Sequence, residues 1–413
     1  TPLYSSAASD VYKRQIKILG QTAFSLPLMN APLSLAVNRN PSQSRTMERE
    51  KPILVVVELS GGNDGLNTIV PFADDNYYRL RPKIGIPERE LLELDDNFGF
   101  NPGLRGMQSL WREGELAIIH GCGYSQPSFS HFTSMAYWHT ATPNSGSEYG
   151  WLGRTADAIS GRRSTDLIVQ VGNQQSLVVN SANHTPVVFD EPSRFQKDNS
   201  GADYEIPSPQ SLLSTPNKNS YNYLKRVAQS AKTSSKRIQE AWSAYRTEVD
   251  YGILPMDLPK VAACIESGYP AQLYHVAFRN NSFDTHVQQP ALHRRLLSYA
   301  SDAITGFIGD LKQKAIDQNV VVLIHSEFGR RAGENANLGT DHGTANIMFL
   351  AGTNIKGGHY GENPSLKDIF IDENVEFTTD FRRVYASILE NWLRLDQVPV
   401  LDSKFETFNM FVS

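Results

Sequence analysis

Cysteine is almost missing from this chain. Cys122 and Cys264 are the only two in 413 residues, which excludes a disulfide framework and a Cys-rich zinc site. Each stands beside an apolar run, so two buried thiols are expected. Positive charge is not in excess either. The net charge is −5 and no basic stripe runs along the chain, so nothing favours a nucleic-acid partner. Long apolar runs are also lacking: beyond residue 37 no stretch is long enough for an integral membrane span. What remains is ordinary: 40% hydrophobic and 20% charged residues, the balance of a globular protein long enough to bury a sizeable core.

The first part of the chain stands apart. Thr1 to Gln15 has no apolar periodicity and reads as an adaptor-like, non-native segment. Ile16 to Val37 is apolar, rich in small residues and free of acids, and Pro27 and Pro32 interrupt it. It reads as part of an export signal, of twin-arginine type or otherwise, which implies a periplasmic or extracytoplasmic protein. With the polar linker after it, this segment takes up 16–45. Residues 46–413 then form one domain, with a lid-like insertion at about 190–265. That insertion carries the basic residues Arg194, Lys225, Lys232 and Arg237.

The domain is organised around Lys51 to Asn67. Val55, Val56 and Val57 form a β-branched run expected in a strand buried on both faces. The run ends at Ser60-Gly61-Gly62-Asn63-Asp64-Gly65, where Asp64 projects from the strand end or simply makes a turn. Further buried strands are expected at Glu115–Gly121, Leu273–Phe278, Val320–His325 and Ala345–Leu350, and shorter ones at Leu167–Val171, Leu177–Val179 and Val187–Phe189. Helices alternate with them, the longest from about Pro290 to Ala315. This order predicts a three-layer α/β/α sandwich with a mostly parallel sheet.

In such a sheet the carboxyl ends of the strands lie along one edge, where ligands bind. Asp64, Ser130, Asp284 with His286, and Glu327 each follow a strand, and Asp341-His342 precedes the next one. Ser130 would sit at a helix N-terminus, a place for a nucleophile that attacks an anionic ester and equally for a helix cap. Carboxylates with neutral imidazoles suit a divalent ion such as zinc, manganese, calcium or magnesium. Two such ions would clamp a phosphoryl or sulfuryl group.

The segments VVVELSGGNDGLNTIVP, SHFTSMAYWHT, GWLGR, FDTHVQQ, SEFGR and GTDHGTA resemble the DUF1501 family, which is similar to the alkaline phosphatase and sulfatase superfamily. The resemblance runs from about Val55 to the C-terminus. It implies hydrolysis of phosphate or sulfate esters, with Ser130 as nucleophile. One metal site would use Asp284, His286 and His342; the other would use Asp64, Ser130 and Glu327, with Asp341 compensating for a missing nitrogen ligand. Phe328 stands where the superfamily has a histidine. A rival alignment puts Asp341-His342 on the superfamily's Asp-His pair, with His359 as last ligand. Arg330 and Arg154 would neutralise the substrate, a small anionic ester or a sulfated or phosphorylated glycan, and Asn63 and His131 would help bind it. The competing expectation is a non-catalytic binding protein on the same scaffold, for extracellular glycan or a cell-surface assembly.

Overall fold

The computed structural model describes residues 51–160, 166–195, 233–278 and 280–412. The adaptor-like segment, the export stretch, the linker, Lys225 and Lys232 lie outside the described residues.

Nine strands form the central sheet: β1 (Ile53–Leu59), β2 (Leu116–Gly123), β3 (Ile168–Val171), β4 (Val187–Phe189), β5 (Leu273–Phe278), β6 (Val320–His325), β7 (Asn346–Ala351), β8 (Gly358–Tyr360) and β9 (Thr379–Asp380). Their order is β8-β2-β7-β6-β1-β5-β3-β4, and β9 also pairs with β2. β7 runs antiparallel to both β2 and β6, and the other pairs are parallel. Because β7 runs in reverse, the loop that precedes it lies at the edge where its neighbours end. Asp341 and His342 are thereby delivered to the carboxyl edge.

β1 is central, and its two faces feed two cores. Val55, Val57 and Leu59 join one apolar cluster, Leu54 and Val56 the other. The first is covered by α2 (Arg105–Arg112), α5 (Leu258–Glu266) and α6 (Gln289–Gln313). The second is covered by α3 (His131–Thr140), α4 (Trp151–Ile159) and α7 (Arg382–Ser387). A short α1 (Asp75–Leu80) packs in a satellite cluster with Val70, Ala332 and Val375. The result is the expected α/β/α sandwich. Along α6 the stripe Leu296, Leu297, Ala300, Ala303, Ile304, Phe307, Ile308 and Leu311 is buried. Each large apolar side chain there contributes about 1.5–3 kcal/mol, so the layer is held by packing.

Two local features differ from the expectation. Leu177–Val179 forms a 3-10 turn instead of a strand, because the Ser176 hydroxyl accepts from Val178 N. Gly358–Tyr360 adds an edge strand that its glycine-rich sequence did not announce. In the described part of the expected insertion, Ile238, Tyr245, Tyr251, Met256 and α5 lie in the first core. Asp310 of α6 fixes that segment, accepting from the hydroxyls of Tyr245, Thr247 and Tyr251. Both cysteines are buried free thiols.

Candidate metal centre

The turn after β1 is built on two glycines. Gly61 has φ +120°, and a Cβ there would meet the backbone of residues 281–284. Gly62 has φ +74°, and a Cβ would strike the Phe328 ring. Both conformations favour glycine. Their close packing brings the ends of β1, β5 and β6 together. Arg330, itself buried, ties the three loops: it donates to the carbonyls of Gly61, Gly62, Phe283 and Thr340. It also donates to Asp284 Oδ1 at 2.8 Å.

Around Asp284 three imidazoles converge. Oδ1 lies 2.9 Å from His286 Nε2 and 3.0 Å from His342 Nε2. Oδ2 lies 3.3 Å from His131 Nε2. The two Nε2 atoms of His286 and His342 are 3.0 Å apart. The opposite nitrogen of each ring is occupied. His131 Nδ1 is 2.8 Å from Glu327 Oε1, His342 Nδ1 is 2.7 Å from the Phe129 carbonyl, and His286 Nδ1 is 3.3 Å from Asp341 Oδ1. Carboxylates and carbonyls only accept, so each Nδ1 carries its proton. With neutral rings, the Nε2 lone pairs of His286 and His342 would face each other and that of His131 would face the carboxylate; His131, Asp284 and His342 offer ligand atoms that all lie within 4.8 Å of one another. Arg330 already places one positive charge beside Asp284 and His286, and a second at the centre would satisfy the remaining lone pairs.

A divalent ion fits that need. About 2.0–2.1 Å metal–ligand bonds in a tetrahedron set donor atoms about 3.3 Å apart, close to the 2.9–3.3 Å separations around Asp284. A ligating histidine normally donates its other N–H to a carboxylate or carbonyl, the pattern seen on all three rings. With protein groups alone, burial works against the imidazolium of His131, but Asp284 and Glu327 outweigh it and raise its pKa to about 9. Burial opposes the charge of Asp284 too, yet His131, His342 and Arg330 hold it well below the usual carboxylate range. The side chains of His131, His342, Asp284 and His286 are 20–36% exposed, so the centre is open to small molecules. Phe328 is buried, with its ring against those of His131 and His342 at 4.9 and 4.6 Å. It acts as the floor of the centre.

The remaining candidates are distributed differently from the expectation. Asp64 is fully buried elsewhere: Oδ2 accepts from Arg81 at 2.7 Å and Gln289 at 2.5 Å, and Oδ1 caps a 3-10 turn at Asn67 N. Burial raises its pKa, but Arg81 and His293 prevail and the net shift is downward. The expected set of Asp64, Ser130 and Glu327 is therefore not assembled, because the charge of Asp64 is already neutralised by Arg81. Asn63 serves the same interior network, accepting from His293 and donating to Thr68. Glu327 is buried beneath the centre, accepting from Gly61 N and Ser326 Oγ as well as facing His131. Asp341 is half exposed and also accepts from Asn335. Ser130 caps α3, its hydroxyl accepting from Thr133 N at 3.5 Å, and is exposed one residue from His131. Arg154 is remote: it binds Asp402 at 2.8 Å and the Thr140 carbonyl. His359 is remote as well, in a chain with His120 and Asp95 at the sheet edge.

Sequence reasoning missed a second polar group. Glu58, His139 and His275 meet under the sheet edge, on the face of the second core. The signal was available: a Glu and two His interrupt the buried strands ILVVVEL, LYHVAF and VVVLIH.

Fold and site together define an α/β/α protein with a histidine-rich centre at the carboxyl edge of a mostly parallel sheet. Residues 51–403 match the family described as "Protein of unknown function (DUF1501)", and the chain belongs to that family. No curated protein matches the sequence. Solved structures with a similar arrangement include the C-terminal periplasmic domain of EcEptC from Escherichia coli in complex with Zn. It is 9% identical, with a TM-score of 0.35 and coverage of 74% of each chain. A protein of the alkaline phosphatase superfamily from Vibrio parahaemolyticus is 9% identical, with a TM-score of 0.35 over 76% of this chain and 62% of that one. The PsFucS1 sulfatase from Pseudoalteromonas sp. is 12% identical, with a TM-score of 0.34 over 82% and 74%. Among the described residues no helix is long and apolar enough to cross a membrane.

Proposed function

We propose that this protein is an exported, metal-dependent hydrolase of phosphate or sulfate esters, of small anionic esters or of substituted glycans. The observation that carries the proposal is the convergence of His131, His286 and His342 on Asp284, with every Nδ1 already held by an acceptor. His131, Asp284 and His342, whose ligand atoms lie within 4.8 Å of one another, would hold one divalent ion, with His286 beside them. Glu327 and Asp341 would act behind them, fixing the rings of His131 and His286. When bound, the ion supplies Lewis acidity for an ester oxygen. Ser130 is the candidate nucleophile. It stands at the positive end of α3, where a tetrahedral anion is favoured. Arg330 is a positioning residue: its donors are engaged with loop carbonyls and Asp284. The acid-free apolar stretch 16–37 supports export.

The test is elemental analysis of the purified protein, with turnover of p-nitrophenyl phosphate and p-nitrophenyl sulfate. Expected outcomes are metal in the wild type, loss of metal and turnover in Asp284→Ala, and loss of turnover alone in Ser130→Ala. Wild-type protein that takes up no metal, or turnover that survives in Asp284→Ala, sinks the reading. The use of Ser130 as a helix cap favours one alternative: a metal-dependent binding protein for sulfated or phosphorylated glycan. That reading expects glycan retention by the metal-loaded protein without ester cleavage.

A further inference from the structure

The geometry points to a second, sealed metal site at Glu58, His139 and His275, for a divalent ion of the zinc class with a structural role. It lies in the second core and is separate from the open centre. α3 links the two: His131 enters one and His139 the other, eight residues and about 12 Å further along the helix. The two proposals are independent, since no side chain is shared.

The argument starts from the strands. β1 and β5 are in register with Val56 beside His275, and β1 and β6 with Glu58 beside His325. Side chains two apart share a face, so Glu58, His275 and His325 all point into the layer of Leu54, Val56 and Trp138. His139 reaches the same point from α3. Glu58 Oε2 is 2.6 Å from His139 Nε2 and 3.4 Å from His275 Nε2. One ligand atom from each of the three lies within 4.8 Å of the others, and all three residues are buried. Glu58 Oε1 accepts from Ser60 at 2.6 Å, and His139 Nδ1 faces Ser176 Oγ at 3.4 Å. These contacts leave one carboxylate oxygen and one nitrogen of each ring facing inward.

The ring nitrogens that face Glu58 are partnered, but the rings around the cluster are not fully hydrogen-bonded. His275 Nδ1 has no partner, and neither nitrogen of His325 has one. Yet both residues are at most 3% exposed. Buried imidazoles are normally satisfied, and an orphaned one calls for an ion or an ordered water. Two imidazoles and a carboxylate are a donor set for zinc. His325, stacked on Trp138 at 5.3 Å, is the surplus donor of the layer. Because the apolar shell of Trp138, Trp151, Phe381 and Tyr385 encloses this layer, an ion here would enter during folding and leave only on unfolding.

The experiment is zinc stoichiometry on the full chain, refolded with zinc and freed of excess. It is measured before and after native-state treatment with a chelator, then again in denaturant. One equivalent that resists the chelator in the folded protein and is released on unfolding is expected. Glu58→Gln and His275→Phe should each lose that equivalent, while Asp284→Ala should keep it. Absence of a chelator-resistant equivalent from the wild type means that the cluster holds only water, and overturns the proposal. So does its persistence in both variants. The wild-type arm stands even if a variant fails to fold. If the exchangeable equivalent is missing but the resistant one is present, the open centre fails and the sealed site stands.

Discussion

Two histidine–carboxylate clusters share helix α3, through His131 and His139, and differ above all in access to water. The cluster around Asp284 lies beyond the strand ends, and its side chains are 20–36% exposed. The cluster around Glu58 lies one layer down, where the residues are buried. Burial opposes the charge of Glu58, but His139 and His275 outweigh it and hold its pKa well below the usual value. Burial pushes His325 down to about 4, so it is neutral at ordinary pH. On the proposed readings the same residue types would serve exchange and chemistry at the surface, and cohesion in the interior. Desolvation explains the division: an unpaired charge is tolerable beside water and costly in a dry core.

The comparison breaks most sharply at Asp284. Asp284→Ala is expected to abolish metal uptake at the open centre and turnover with it, while the melting temperature changes little. A large fall in melting temperature, measured by calorimetry, would mean that the open cluster is structural like the sealed one. Next in size is Arg81→Met, which strands Asp64 as a buried, unpaired carboxylate. The expected cost is about 3–5 kcal/mol at neutral pH, read by denaturant unfolding. The pH dependence follows from the lowered pKa of Asp64. Its pair with Arg81 contributes fully above the unfolded value of about 4, and the contribution is lost as pH falls through the folded value. The gap between wild type and Arg81→Met should therefore narrow on acidification.

Glu327→Gln probes the support beneath the open centre. Removing the charge that orients His131 should weaken metal affinity by about 10–100-fold, measured by competitive titration with a chromophoric chelator. An unchanged affinity would remove His131 from the ligand set. The smallest structural effect belongs to Ser130→Ala. Loss of the cap should cost about 1 kcal/mol, against complete loss of turnover if the hydroxyl is the nucleophile. Turnover that persists shifts the nucleophile to water.

Much of the fold was legible because buried parallel strands announce themselves. Leu273–Phe278 and Val320–His325 were bounded correctly from their β-branched and apolar runs alone. The reverse direction of β7 was not legible, since strand direction depends on pairing that sequence periodicity does not encode. Within the site, Asp284, His286 and His342 were named from their places beside strand ends, and the structure brings them together. Asp64 was named on the same grounds and lies apart. Its partner Arg81 is seventeen residues on, and nothing local to the turn signals that the two are buried together. Glu58 and His275 went unnoticed because a polar residue inside an apolar strand reads as an interruption until its neighbours across the sheet are known, and His139 because it lies on a helix whose partner layer the sequence does not show.

The sequence by itself determined the layers, the edge at which function would gather, and the residue types available there. Those follow from periodicity and turn chemistry, which act over a few residues. The tertiary structure alone decided which carboxylate met an arginine, which met three imidazoles and which was sealed beneath tryptophan. Such choices rest on contacts between residues from 17 to 217 positions apart, and on how much water each contact retains.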